Sequence, residues 1–349
     1  MRTSHKLTQL FLGLTALISL AAASFGQVFT QGAIAPATGV NAGGVPFSNQ
    51  IEVSDQKPGS ILVYPYYTSN AQTKADTRVT LTNLAGTLSP LPWVENAALR
   101  GGTIYAHIFF LNGANCSQAD MYVCLTKGAS ISFNSSTQDP DITGYIVAVA
   151  VNEMGRPVSW NALIGNAFVS TPDVAGNYGA EAFASSRPAG ANTEAGNGDT
   201  AALALDGTIY DRGADQFAVE IQSPATATGQ TIVHASVDGN ISSGGTNSIA
   251  QAGTGLVIRG DEKQGSFVNF LSGGCHSTGS IRVDRPRVPT GMGAFVPAGQ
   301  IATMVYNTNR ASVGLLLTPK ANAWSGIRGL HKTRTVNSTL TIPVFMPVC

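Results

Sequence analysis

Charge is what this chain of 349 residues has least of. Lys, Arg, Asp and Glu make up 11% of it, against roughly 25% in ordinary soluble domains. Its 20 basic residues balance its 20 acidic ones. Such a surface has no field to steer nucleic acid or an anionic membrane toward it. Solubility falls to Ser, Thr, Asn, Gln and exposed backbone. Catalytic fingerprints are missing too. There is no Gly-x-Ser-x-Gly elbow, Walker loop, dinucleotide fingerprint or His-Glu-x-x-His. That removes the sequence warrant for the common hydrolase, nucleotide-binding and zinc-protease chemistries. No Cys-x-x-Cys or paired Cys/His spacing supports zinc. No stretch holds a long helical period, which argues against helix bundles. Beyond residue 23 no apolar run is long enough to span a bilayer as a helix.

The first 26 residues carry the clearest signal. Arg2, His5 and Lys6 precede an apolar stretch over residues 7–23, and small residues including Ser24 and Gly26 close it. This order predicts a secretory signal peptide over 1–26, cleaved before Gln27. The mature chain is then secreted or on the cell surface, outside the cytoplasm. Residues 27–50 are rich in Gly, Ala, Pro and Thr and read as a loosely ordered arm.

Four cysteines, Cys116, Cys124, Cys275 and Cys349, predict two disulfides in an exported chain. Three pairings exist. The favoured one joins Cys116 to Cys124 across a short excursion between strands. It then joins Cys275 to Cys349, pinning the C-terminal strand, and such a long closure stabilises by roughly 4 kcal/mol in the chain-entropy model.

Short runs of β-branched and aromatic residues recur along the rest, bounded by Gly, Pro, Asn and Asp. Residues 60–67, 77–83, 103–111, 129–133, 144–151 and 158–164 read as strands of the first half. Residues 144–151 are almost continuously apolar, the mark of a strand covered on both faces. Residues 180–184 read as a helical turn. In the second half, strands are predicted at 201–205, 217–221, 231–237, 255–258, 266–271, 294–296, 301–306, 313–317 and 339–345. Residues 240–255 read as a loop. Between the halves, residues 186–200 hold no large apolar side chain and read as a linker. The expected fold is all-β: a β-sandwich domain of immunoglobulin-like type over 51–185 and a second over 201–349.

The first half resembles a group of uncharacterised exported bacterial proteins. Lys57-Pro58-Gly59-Ser60-Ile61-Leu62-Val63-Tyr64-Pro65-Tyr66-Tyr67 and residues 77–83 carry the likeness, with 107–113, Cys116, Cys124 and Asp139-Pro140-Asp141 before residues 144–151. Leu163-Ile164-Gly165 and Gly179-Ala180-Glu181-Ala182-Phe183 continue it. In the second half it rests on Phe295-Val296-Pro297-Ala298-Gly299 and on Ile342-Pro343-Val344-Phe345 to Cys349. The resemblance implies export and a β-rich fold. The group has no established activity, so no functional residue transfers.

Candidate chemistry is thin. His107, His234, His276 and His331 would need to converge in space to bind a metal. Asp139, Asp141, Glu153 and Glu181 would need to flank one cleft for glycoside hydrolysis. The acidic loops at Asp139–Asp141 and Asp211–Asp215 offer oxygen ligands of the kind calcium takes, though neither matches a calcium consensus. Tyr64, Tyr66, Tyr67, Trp93, Trp160 and Trp324 are the large aromatics that would stack on sugar. Alternation puts Tyr64 and Tyr66 on one face and Tyr67 on the other. Asn-x-Ser/Thr occurs at Asn115, Asn134, Asn240 and Asn337, a match expected by chance in this composition. The leading reading is a non-enzymatic surface or extracellular-matrix type protein with no cofactor, acting through its sheet faces and loops, with self-association or a glycan as partner. A carbohydrate-binding or adhesion module and a carboxylate-pair hydrolase are the alternatives.

Overall fold

The computed structural model describes residues 53–85, 103–195, 198–243, 245–246, 249, 254–268 and 270–348. The predicted signal peptide, the arm over 27–50, Trp93 and Cys349 lie outside the described residues. The chain is all-β, and no described helix is long and apolar enough to cross a membrane.

The first half supplies β1 (Ile61–Thr68), β2 (Asp76–Asn83), β3 (Ile104–Asn112), β4 (Gln118–Leu125), β5 (Ser130–Asn134), β6 (Thr143–Val151), β7 (Leu163–Ser170), β8 (Ala175–Gly179) and β9 (Glu181–Phe183). The second supplies β10 (Glu194–Ala195), β11 (Thr200–Leu205), β12 (Gly213–Gln222), β13 (Gln230–Ser236), β14 (Gly239–Asn240), β15 (Gly245–Thr246), β16 (Gly255–Arg259) and β17 (Gln264–Phe267). It ends with β18 (His276–Ile281), β19 (Ile301–Thr318), β20 (Gly326–Gly329), β21 (His331–Val336) and β22 (Ser338–Pro343).

Two antiparallel sheets make up the first half. An inner sheet runs β4-β3-β6-β1-β9 and an outer sheet runs β5-β2-β7-β8. The second half forms a long sheet, β17-β16-β19-β12-β21 with β13, β18 and β20 attached, and a small sheet, β10-β11-β22-β14-β15. Alternation in the sequence sets the outer sheet. Val79 and Leu81 of β2 point inward, while Arg78, Thr80 and Thr82 face out.

The central strands of the inner sheet, β1, β3 and β6, obey a different rule, because both their faces are buried. Ile146, Ala148 and Ala150 of β6 pack toward the outer sheet, with Leu62, Ile108, Phe110, Val79 and Val169. Tyr145, Val147, Val149 and Val151 pack the other way, against Leu203, Leu205, Val313, Leu340 and Ile342 of the second half. The near-continuous apolar run at 144–151 is therefore the middle of three layers. Each large aliphatic side chain so buried is worth roughly 1.5–3 kcal/mol.

The two halves thus share a core. The expected linker is part of that arrangement. Val158 bridges Asn192, Ser159 N donates to Ala191 O, and Gly190 N donates back to Ser159 O. Thr193 N reaches Pro157 O, and β10 closes against β11. Its small side chains let this stretch lie close against the first half; Ala189 and Thr193 are buried.

Several elements differ from expectation. Residues 181–183 form strand β9 rather than a helical turn, because they ladder onto β1. Residues 158–161 are not a strand; β7 starts at Leu163. The strand expected at 294–296 is a helical turn, Met292–Phe295. The strands expected at 301–306 and 313–317 are one strand, β19, which pairs with β12 and β16 along its first part and with β13 and β20 along its second.

The favoured cysteine pairing is also corrected. Cys116 is bonded to Cys275 across 159 residues, with Cα atoms 6.0 Å apart. Local spacing misled because β4 runs straight back along β3, placing Cys124 opposite Tyr105. At ~3.3 Å per residue this carries Cys124 well beyond the ~7 Å limit for a bridge to Cys116. Cys275 sits where β18 begins, beside the carbonyl of Asn112 at the end of β3. Cys124 is disulfide-bonded as well, and the remaining cysteine, Cys349, lies outside the described residues. The Cys116–Cys275 bond staples the first half to the second, worth about 5 kcal/mol by loop-closure entropy. A digest without reductant should yield a peptide linking Cys116 to Cys275. A C116A/C275A variant should lose several kcal/mol in a urea titration; an unchanged midpoint would rule out the staple.

Candidate functional site

The outer sheet presents the most regular exposed surface. Its outward side chains fall in rows. One row reads Asn134, Arg78, Phe168, Asn177; the next reads Ser132, Thr80, Asn166; the third reads Ser130, Thr82, Ile164. Hydroxyls pair across the strands, Thr80 with Ser132 and Thr82 with Ser130, each at 2.8 Å. Phe168 is 41% exposed, and the Arg78 guanidinium lies 5.9 Å from its ring centre. Arg78 is the one formal charge in these three rows. Chemically this is a flat grid of hydroxyls and amides, ~5 Å by ~7 Å, around one aromatic ring. Its rows have donors and acceptors for a neutral polar polymer, and beside them Asp76 accepts from Ser135 and Ser136.

Behind that grid the packing is tight. Tyr64 passes its hydroxyl between the sheets to Thr80 O at 2.9 Å. Gly165 makes room for it; a Cβ there would stand 2.0 Å from the Tyr64 hydroxyl. Trp160 is buried and donates Nε1–H to Asn83 Oδ1 at 3.0 Å.

A second cluster lies on β3 and β4. His107 Nε2 is 2.9 Å from Asp120 Oδ2, and its Nδ1 is 2.9 Å from the Tyr122 hydroxyl. Tyr122 also donates to Phe345 O at 2.7 Å. Burial lowers the His107 pKa while Asp120 opposes the shift. A neutral His107 donating to Asp120 leaves Nδ1 as an acceptor, so Nδ1 and Phe345 O compete for one phenolic proton. The cluster fastens the C-terminal segment onto β4, and its polar atoms are turned on one another.

The predicted histidine site does not assemble. His234 lies in β13 beside Tyr306 and Ser312. His276 lies in β18, donates to Pro65 O, and stacks between Tyr66 and Tyr145. The pairing of His276 with Ala235, next to His234, sends the two rings to opposite faces. His331 is exposed on β21. Among the described residues no three His, Cys, Asp or Glu side chains gather as a metal-binding group.

The carboxylates are engaged separately. Asp139 accepts from the Tyr67 hydroxyl, Asp141 accepts from Ala71 N, and Glu181 pairs with Lys332; Glu153 is exposed. In the second acidic loop, Asp211 pairs with Lys57 and Asp215 holds Arg334 through two bonds. Basic side chains thus hold Asp211 and Asp215, whereas Asp139 and Asp141 are held by a hydroxyl and a backbone N–H. The aromatic expectation is corrected too. A register shift between Tyr64 and Tyr67 turns both into the core between the sheets. Tyr66 is left half-buried against His276. Of the three Trp, Trp324 is the one exposed among the described residues, on the turn between β19 and β20. The strand expected at 158–164 stops short of Phe168, which lies in β7, and the Ser, Thr and Asn of the outer face carry no motif.

No family model, curated protein or solved structure matches this chain.

The buried histidines make stability depend on pH. Burial pushes His234 down to about 3, with His276 adding to it, and pushes His276 down to about 4. Both fall below the unfolded value of 6.5. The unfolded chain therefore binds more protons on acidification, and stability is full above about pH 6.5 and falls as pH drops toward 4. His276→Gln keeps a donor for Pro65 O and should flatten part of that slope in denaturant titrations at pH 7, 5.5 and 4. An unaltered slope would show that His276 does not contribute.

Proposed function

We propose that this chain is an exported, non-enzymatic surface or matrix-type protein that works through the outer face of its four-stranded sheet. The observation that supports this most is the exposed grid of Thr80, Thr82, Ser130, Ser132, Asn134, Asn166 and Asn177 around Phe168. It is backed by a core that holds it rigid. The basic start and apolar run at residues 1–26 support export. The Cys116–Cys275 bond fits an oxidising compartment, as does the resemblance to exported bacterial proteins.

A second reading is favoured by Phe168 itself: the face binds a neutral glycan. An exposed ring flanked by amides and hydroxyls stacks on a sugar face while its neighbours bond the sugar hydroxyls. With one charge in its rows, the face suits an uncharged chain better than an acidic one. Trp324 is a separate candidate for stacking.

Retention on insoluble cellulose, chitin and peptidoglycan checks this reading. F168A should cut retention at least ten-fold with the circular dichroism spectrum unchanged, and N177A should weaken it less. Equal retention of F168A and the parent would exclude the face as a glycan site. Protease shaving of intact cells tests the wider reading; a protein held wholly inside the cytoplasm would contradict it.

A further inference from the structure

Lys57 and Asp211 meet in the seam between the halves. Lys57 Nζ lies 2.7 Å from Asp211 Oδ2, and the two side chains are only 9% and 7% exposed. The backbone fixes both. On one side of Lys57, Ser54 and Ala182 exchange two hydrogen bonds; on the other, Gly59 and Leu163 do the same. Asp211 N donates to Ala184 O, and Ala184 N donates to Asp211 Oδ2. Phe183 and Tyr210, the chain neighbours of Ala184 and Asp211, are buried. Glu181, two residues before Phe183, is 3% exposed and is paired with Lys332 at 2.6 Å. Burial raises its carboxyl above the ordinary value, with Lys332 opposing.

Holding two charges out of water is expensive, and the pair has a route to remove them. An amine held against a carboxyl group, both oriented, meets the proximity condition for reaction. The Ala184 N–H on Oδ2 fixes the carboxyl group against the amine. We propose that Lys57 and Asp211 join through an intramolecular isopeptide bond that cross-links the two halves of the chain. The lysine ammonium passes a proton to Oδ2, the carboxylate oxygen it touches. The amine lone pair then attacks Cγ, and the nitrogen gives up a second proton to the departing Oδ2 while Oδ1 becomes the amide oxygen. The C–N bond forms, the C–Oδ2 bond breaks, and one water leaves. Nothing is oxidised or reduced, and no co-reactant enters.

This inference goes beyond the surface-protein reading and stands without it. Intact mass spectrometry of the exported full chain after disulfide reduction tests it. The parent should be lighter than its sequence by one water, and peptides carrying Lys57 and Asp211 should run as one branched species. Lys57→Arg retains the charge pair, should fold with the same circular dichroism spectrum, and should show its full mass. A parent at full mass, with the two peptides unlinked, would overturn the proposal.

Discussion

The burial of one sheet on both faces governs this molecule. The central strands of the inner sheet, β1, β3 and β6, have almost no solvent side. The outer sheet covers Leu62, Ile108 and Ile146, and the second half covers Val63, Phe109 and Val147. A strand in that position cannot alternate polar with apolar, so β6 is apolar along nearly its whole length. Close approach follows as well. A Cβ on Gly144 would lie 1.8 Å from Leu111 O on the neighbouring strand, so only glycine fits there. Where charges do enter the seam between the halves they are paired, Lys57 with Asp211 and Lys332 with Glu181, because an unpaired one would lack water to solvate it.

Strands rich in large apolar residues were legible in the sequence. β7 beyond Ile164 and β18 each bury a face, but largely with small or polar residues such as Ala167, Ser277 and Gly279, and were not. Residues 77–83 and 144–151 announced themselves by period and by continuity. β21, His-Lys-Thr-Arg-Thr-Val, looks like a polar loop, yet it pairs with β12. β8, Ala-Gly-Asn-Tyr-Gly, has one buried side chain and follows β7 only through backbone hydrogen bonds. The cysteine pairing was hidden for a different reason. It depends on β3 and β4 carrying Cys124 away from Cys116, a tertiary fact that spacing does not hold. The bulge around Pro65 likewise moved Tyr67 onto the same side as Tyr64, and period two does not predict a register shift.

The chemistry-bearing side chains show the same economy. His234, His276, Asp139, Asp211 and Asp215 would each look like a site residue in isolation. The structure gives each a partner inside the protein, so they stabilise and orient the fold. What remains outward is a field of hydroxyls and amides with Phe168 in its midst. Such a surface works by shape and by many weak polar contacts, and leaves no motif behind.

If the two halves share their middle layer, they unfold together. Scanning calorimetry of the oxidised full chain should show one transition whose calorimetric and van't Hoff enthalpies agree. Two resolved transitions would contradict it, with residues 53–185 folding as a stable fragment on their own. The inner sheet would then need no cover from the second half.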